Sequence, residues 1–494
     1  MMRFPLLPAL LVSFSLVAQQ APKAPTKLSL QAAIETSLKN NLQVQIATET
    51  RTSTVAGVMV EQGSFDWNLT SGLTLSKSQD GFKTPAATLE STSQSRSLSV
   101  GSTKAFEWGG SLSLSYAPRY SFSSGTLVGG STTTPYDGSL SATYTQSLLR
   151  GFGREATESR LIVARLGAKA ADLTFTKSII DLVASTETLY WDVVFAQRNL
   201  VNKRQALELA QKQLRENQIR VQVGTLAPIE VTSSEASVAQ REQEIIAAEA
   251  QDLNSKDALI RALYPSSERP AGLDLTDAPS VKPVGMDEAS AEQRALASRI
   301  ELKTARLDLQ TKQVQETAAV NRTLPQLDAF ATYSGNAASQ IPSEGLTAVN
   351  KDLSKAAYPG YSIGLQFSMP IQNRAAKGSL AQSRASRRTS ELNLKDLELG
   401  ITLEARQALR NVEASAKGVA AAEKTRYFRE KDLEAEQKKF ENGMSTNFLV
   451  LSKQNDLDSA KSAELQAQIT YVKAITAMEK SVGNLLEARK LVVN

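Results

Sequence analysis

Histidine and cysteine are both absent from the 494 residues. Their absence excludes Cys/His zinc sites, thiol nucleophiles, disulfides, a lipid-modified N-terminal cysteine and every histidine-based catalytic triad. Long apolar runs are missing too. Beyond the N-terminus no stretch approaches 18 consecutive apolar residues, so no helical membrane span is expected. The formal net charge of +5 is spread along the chain and forms no basic block, which argues against a nucleic-acid partner. Carboxylates are plentiful, but they sit in Lys/Arg/Glu/Gln helix text with no pocket signature. No enzyme activity, cofactor or metal site is expected.

The N-terminus reads as an address. A short positive start at Met1 to Pro5 precedes an apolar run from Leu6 to Val17, and Ala18 to Ala24 offers small residues for cleavage. This layout predicts a signal peptide over 1–21, too short to span a bilayer, on an exported protein that is not a lipoprotein. Such a protein can still enter a membrane as a β-barrel.

What the chain does contain, it contains twice. A strand-like run leads into a very long polar helix, which breaks at a glycine and turns into a second helix. The first copy breaks near 223–231, at Gly224, and the second near 442–450, at Gly443. From strand end to glycine is about 70 residues in each, a helix on the order of 100 Å at ~1.5 Å per residue. The expected organisation is a first repeat over 22–263, an equatorial linker over 264–288 and a second repeat over 289–494. Two such rods suit a conduit across a wide compartment better than a globular domain.

Strands are expected about 64–149 and 326–371. Phe65, Trp67, Leu69, Leu73 and Leu75 alternate with polar residues over a length that suits a tilted membrane strand. Leu112, Leu114 and Tyr116, then Leu140, Ala142, Tyr144 and Leu148, alternate likewise. Gly/Ser/Thr-rich segments near 79–95 and 119–137 read as exposed loops. Leu98 to Phe106 and Gly110 to Tyr116 form an extra hairpin candidate around Glu107 and Trp108, leaving four or six strands per chain open. In the second half the strands are Leu327 to Ser334 and Tyr361 to Ile371. Tyr361, Ile363, Leu365, Phe367 and Met369 form the candidate lipid-facing side of the latter, and Ser362, Gly364, Gln366 and Ser368 face the other way. So few strands leave open edges, which closure by several copies would remove. Aromatics including Phe65, Trp67, Trp108, Tyr116, Tyr144, Tyr361 and Phe367 are candidates for interfacial girdles.

The helices carry their own pattern. Ser29 is a candidate N-cap for a helix from Leu30, with helix continuing to about Val60. Ala236, Ala239, Gln243, Ile246, Ala250, Leu253, Asp257 and Ile260 step 3-4-3-4, a coiled-coil seam rich in small residues. The helices from Val231 to Tyr264 and from Asp287 to Asn321 together match one long rod. The final helix (Thr446 to Leu486) and the first do the same, so the linker and the C-terminal tail are expected to meet as a belt.

The order of these pieces resembles the TolC-like outer-membrane efflux proteins over nearly all of the mature sequence. The opening from Leu28 to Asn41, the strand entry from Leu324 to Ser334, the strand exit from Tyr361 to Pro370 and the two glycine-centred tips carry the resemblance. It implies a fold that is mainly α with a membrane β-barrel: a homotrimer whose duplicated strand–long helix–tip–helix repeats form an α-barrel tunnel in the periplasm and a shared β-barrel in outer-membrane lipid. It implies the outer-membrane channel of a tripartite efflux or type I secretion system, docking to a periplasmic adaptor and an inner-membrane pump of the RND or ABC type. The competing class is a structural or adhesive coiled-coil protein of the cell envelope, which would show long uniform heptads and no paired lipid-facing strands.

The resemblance also implies which residues dock the adaptor. At the first tip these are Arg220, Val223, Gly224, Thr225, Leu226 and Glu230; at the second, Lys439, Phe440, Gly443, Met444 and Ser445. The second tip departs from the family pattern. Leu449 and Ser452 stand where some relatives place the aspartates that ring the periplasmic entrance, leaving Asp456 and Asp458 a turn or so further on as candidate substitutes.

Overall fold

The computed structural model describes residues 26–125, 136–265, 270, 272–341 and 343–491. The expected signal peptide, residues 126–135 of the second expected loop and residues 266–269 and 271 of the expected linker lie outside the described residues. In chain order, β1 (Thr26–Leu28) leads into α1 (Leu30–Asn40) and α2 (Leu42–Gln62). Four strands follow: β2 (Asn68–Lys83), β3 (Thr88–Ala105), β4 (Gly110–Gly125) and β5 (Tyr136–Ser147). The short α3 (Arg154–Thr157) precedes α4 (Ser159–Gln222), and α5 (Ile229–Leu263) comes after it. Next are β6 (Leu273–Leu275), α6 (Glu288–Ser298), α7 (Ile300–Arg322), β7 (Gln326–Ser339), α8 (Gly345–Ser354) and β8 (Pro359–Ser368). The chain closes with α9 (Arg374–Glu441), α10 (Asn447–Val482) and α11 (Leu485–Ala488).

The duplication extends to a detail that was not expected. In each half an 11-residue helix, α1 or α6, ends at one residue of extended backbone before a longer helix continues. That residue is Asn41 (φ −67, ψ 131) in the first half and Arg299 (φ −58, ψ 125) in the second. The expected unbroken helix from Asp287 to Asn321 is therefore two helices; neither Pro nor Gly marks the break. At the first, Asn40 and Asn41 donate their side-chain amides to the carbonyls of Leu263 and Ala262 at the end of α5. The capping expected at Ser29 is present, its hydroxyl accepting from the Ala32 N–H.

The chain divides into two compact units, one holding residues 46–177 and 299–402, the other the remainder. The first contains a six-stranded antiparallel sheet in the order β2-β3-β4-β5-β7-β8. The expected extra hairpin is part of it. Where a loop was expected near 79–95 the strands continue, β2 pairing with β3 as far as Lys83 and Thr88. Ser and Thr at alternate positions there suit a two-faced strand as well as a loop, which is why composition misled. At the other margins the expected strands overreach: Phe65 lies in a 3-10 turn, Trp67 precedes β2, and β8 ends at Ser368, so Met369 and Ile371 lie beyond it, next to Pro370. Pro cannot donate to a ladder, and pairing stops before it.

Register gives the sheet two unlike faces. Directly paired residues of an antiparallel sheet share a face. Tyr361, Ile363, Leu365 and Phe367 of β8 thus lie with Tyr333, Ala331, Ala329 and Leu327 of β7. The same face continues through Leu140, Ala142 and Tyr144, Leu112, Leu114 and Tyr116, and Leu69, Leu73 and Leu75. The opposite face is mostly hydroxyl. Thr143 and Thr332, Ser115 and Ser141, Ser76 and Ser95, and Ser78 and Ser93 meet across neighbouring strands at 2.9–3.3 Å.

The other unit is helical, with β1 and β6 as a small parallel pair that the sequence did not announce. Its core gathers Leu28, Tyr190, Leu259, Leu263, Leu273, Leu409, Ile469 and Val482. Tyr190 is fully buried, donates to the Leu28 carbonyl at 3.1 Å and to Asp277 at 2.8 Å, and so ties α4 to the segments around both short strands. Of the expected belt, the linker reaches α10 through Tyr471, whose hydroxyl donates to the Lys282 carbonyl. The C-terminal Arg489 instead forks onto the buried Glu187 of α4 at 2.6 and 2.9 Å.

Buried positions in this unit recur every seven residues. They are Ser234, Arg241, Ala248 and Ser255 on α5; Ala405, Val412, Val419, Leu433 and Phe440 on α9; and Val450, Leu457, Tyr471 and Met478 on α10. Such spacing is the signature of left-handed coiled-coil packing. The seam expected on α5 is a different stripe: Ala236, Ala239, Gln243, Ile246, Ala250, Leu253 and Asp257 are exposed in the single chain, and of that series only Ile260 is buried. Both stripes have the right period. Apolarity marked one and hid the other, because the stripe buried within the chain includes polar side chains that find partners inside the bundle.

Candidate functional site

Both helix reversals are built the same way. After α4, the N–H of Gly224 bonds the Val221 carbonyl at 3.0 Å and that of Thr225 the Arg220 carbonyl at 2.9 Å. After α9, Gly443 bonds Phe440 at 3.1 Å and Met444 bonds Lys439 at 2.8 Å. Each is a Schellman motif, which needs a left-handed residue at its centre; φ is +74° at Gly224 and +73° at Gly443. A Cβ at either glycine would meet nothing within 4 Å, so backbone conformation alone demands glycine there. Pro228 precedes α5 with a helical backbone and no side-chain capping hydrogen bond, and the Thr446 hydroxyl caps α10 by accepting from Leu449.

The two tips pack on each other. The Arg220 guanidinium lies 4.6 Å from the centre of the Phe440 ring and donates to the Phe440 carbonyl at 3.3 Å. Phe440 is buried with Leu433, Val450 and Leu457, and Leu226 packs against that cluster. Behind it is a polar network that the sequence did not reveal. Asn447, 1% exposed, accepts from Asn217 at 2.7 Å and donates to Ser234 and to the Glu230 carboxylate, both at 3.2 Å. Asn217 also donates to Ser234 at 2.8 Å. These contacts join α4, α5 and α10, so Glu230 is held inward by Asn447. Lys439 stays exposed beside Glu436 at 3.4 Å. Ser445 donates to Glu436 and, with Lys439, holds that carboxyl below the usual range against a smaller opposing effect of burial. Facing solvent are Val223, Ile229, Met444 and Phe448, each more than 60% exposed, with Thr225 beside them.

Further along the bundle, Lys203, Arg241, Glu244 and Asp458 form a charge cluster that the sequence also hid. Lys203 Nζ lies 2.6 Å from Asp458 and 3.0 Å from Glu244; Arg241 lies 2.9 Å from Asp458 and 3.0 Å from Glu244. Burial is the largest influence on Lys203 and on Glu244 and opposes ionisation in both. The opposite charges together outweigh it, raising Lys203 and lowering Glu244. Asp458 is therefore committed to a buried ion cluster and Asp456 to Arg429 at 3.0 Å, so neither is a free acid in place of the aspartates missing at Leu449 and Ser452. The signal for both hidden networks was polar text in a seven-residue frame, Ser234 with Arg241 one repeat on and Lys203 with Asn217 two repeats on.

Among the described residues no helix is long and apolar enough to cross a membrane, and no cluster of acidic side chains is arranged to hold a metal ion. On β8, Tyr361, Ile363, Leu365 and Phe367 are all exposed in the single chain.

A sequence-family model for outer membrane efflux proteins matches residues 33–263 and 291–484, which are the two halves of the duplication. The chain belongs to the outer membrane efflux protein family. Members of that family are passive channels, not enzymes. Solved structures agree on the fold at low identity. The outer-membrane channel OprN superposes with a TM-score of 0.69 at 15% identity, over 92% of this chain and 90% of its own. VceC of Vibrio cholerae gives 0.67 at 14%, over 92% and 96%. The CmeC channel of Campylobacter jejuni gives 0.66 at 14%, over 97% and 94%. No curated protein sequence matches the chain significantly.

Proposed function

We propose that this efflux protein is a trimeric outer-membrane exit duct, the passive channel of a tripartite efflux or type I secretion system. The observation that carries the reading is the open, two-faced sheet. β2 and β8 are its end strands and, among the described residues of one chain, have no partner on their outer sides, an arrangement proteins avoid leaving exposed. The sheet has an even number of antiparallel strands, so β8 of one copy can pair antiparallel with β2 of the next. Three copies would close a barrel of about 18 strands, with the apolar face toward lipid and the hydroxyl face toward a wet lumen. Tyr361, Ile363, Leu365 and Phe367 then meet lipid.

The paired tips are the docking surface for a periplasmic adaptor, working with an inner-membrane pump of the RND or ABC type. Their solvent-facing apolar residues Val223 and Met444, with Thr225 and Lys439, offer contact area on a rigid double hairpin. Gly224 and Gly443 set the reversals, while Arg220, Leu226, Glu230, Phe440 and Ser445 brace them from within. The test is the mass of the purified protein in detergent by light scattering. A trimer is expected; a folded, monodisperse monomer would overturn the duct.

A further inference from the structure

The apolar face of the sheet is not uniform. Helix α8, in the connection between β7 and β8, lies on that face. Its Val349 and Leu353 are buried against Ala337, with Tyr116 and Tyr136 packed alongside. The seat is made of small residues: a Cβ at Gly138 would come 2.8 Å from Val349. Tyr116 donates to Asn350 at 2.6 Å, fixing the helix in rotation as well as position. Beside the seated helix is a cleft of about 460 Å³, with Leu73, Leu98, Pro118 and Leu346 among its walls.

That cleft contains one cation, Arg96. Its guanidinium lies 5.7 Å from the centre of the Tyr120 ring, and among the described residues it has no carboxylate within ion-pair distance. Arg96, Tyr120 and Tyr136 form one row across β3, β4 and β5, and the two tyrosine rings are 5.0 Å apart. A second cationic, aromatic row lies eight residues along β3. There Lys104 sits 5.6 Å from the Trp67 ring and 5.9 Å from Phe106, which stacks on Trp108. Eight residues of strand is about 27 Å at ~3.4 Å per residue. On strands tilted about 35–45° that length rises about 19–22 Å, somewhat less than the apolar band of about 25 Å between a barrel's aromatic girdles. Arg96 therefore falls just inside the far margin of the band.

An arginine on a lipid-facing surface is costly unless an anion meets it. We infer that the cleft between α8 and the Arg96 row binds the phosphate of an anionic lipid, with that phosphate on Arg96 and an acyl chain laid along Leu73 and Leu98 toward the apolar strand face. The inference rests on the reading that this face meets lipid. It goes beyond that reading by giving the face a headgroup preference.

The absence of cysteine makes the test direct. Two single-cysteine variants, Leu98→Cys and Ile363→Cys, are labelled with bimane and reconstituted in phosphatidylcholine vesicles containing brominated phosphatidylglycerol or brominated phosphatidylcholine. The label at position 363 should be quenched equally by both, and the label at position 98 several-fold more by phosphatidylglycerol. Adding Arg96→Gln should equalise the two at position 98. No quenching at position 363 would overturn the lipid-facing reading, and this inference with it. Quenching at 363 without a headgroup preference at 98, or a preference that survives Arg96→Gln, would overturn the inference alone. So would loss of the preference in excess inorganic phosphate, which would mark a site for free phosphate.

Discussion

The Arg220 guanidinium stacks on the Phe440 ring at 4.6 Å, joining the end of one long helix to the end of the other. The two residues are 220 positions apart, four and three residues before their reversing glycines; the residue of the second half that matches Arg220 is Lys439. A cation–π contact shielded from water contributes about 1–2 kcal/mol. A double-mutant cycle with Arg220→Met and Phe440→Leu, read by urea unfolding, should return a coupling of about 1 kcal/mol. Additive effects of the two changes would show that the tips are not braced by this pair.

The reversals themselves make a sharper prediction, because neither glycine has a steric neighbour. Gly224→Ala and Gly443→Ala should each cost about 1–2 kcal/mol, the penalty of a left-handed residue with a Cβ. Asn at the same positions should cost less, since it tolerates that conformation. Gly→Val at either tip should lower export while trimers still assemble, as gel mobility without heating would report. Normal efflux by both Val variants would remove the tips from the coupling mechanism.

Asp458 holds two cations at once. Asp458→Ala leaves Lys203 and the buried Arg241 with only Glu244 and should destabilise by about 3–5 kcal/mol, the usual penalty for breaking a buried pair. Replacing Lys203, Arg241, Glu244 and Asp458 together with apolar residues of similar volume should recover much of that loss. The urea midpoints of the single and combined variants provide the comparison. A single variant as stable as the parent would show the cluster to be energetically idle.

The same cluster sets a pH dependence whose sign follows from the two shifts. Glu244 titrates below its ordinary value in the folded state. Its contribution is complete above the unfolded carboxylate pKa of about 4.3 and is lost as pH falls through the lower folded value. Lys203 titrates above its ordinary value, so its contribution holds below about 10.4 and is lost as pH rises through the higher folded value. Stability carried by the cluster is thus flat between those limits and falls outside both. Glu244→Gln should flatten the acid limb of the unfolding midpoint measured between pH 3 and pH 6, leaving the alkaline limb with Lys203. An unchanged acid slope would contradict the assignment.

For the sheet, Leu365→Arg and Gln366→Arg differ by one position along β8 and by the face they occupy. The first should cost roughly 2–4 kcal/mol if it lies near the membrane midplane. The second should assemble normally and alter single-channel current. Equal tolerance of both, with unchanged current, would argue that β8 never enters a membrane.

How much of this was legible in the sequence depended on the kind of signal each element carries. Gly224 and Gly443 were readable because a left-handed turn admits few residue types. The apolar face of β8 was readable because Tyr361 to Phe367 alternate without a break. The first hairpin was half hidden, since Ser91 to Ser99 are so rich in serine that strand and loop look alike. Helix α8 was missed because ten residues between two strands are too few to show a helical period, and its meaning comes from the seat at Gly138 and Ala337. The break at Asn41 had a local signal that was passed over, since its side chain accepts from the Gln43 N–H and caps α2, while at Arg299 the local contact is an ion pair with Glu301 that does not by itself announce a break. The networks around Asn447 and Asp458 were obscured by a general expectation: polar residues on a long helix are taken to face water, and here several face other helices.

The hydroxyl face of the sheet has a consequence of a different kind. A serine or threonine side chain rotates freely between donating and accepting a hydrogen bond. The hydroxyls of that face impose no fixed pattern of polarity, and the charges that share it are few: Asp80, Arg119, Asp137 and Asp328. A solute moving over it exchanges one obliging neighbour for another, much as it does in water. As the lumen wall proposed above, the hydroxyls would be indifferent to cargo, and any preference exercised there would fall to those four charges.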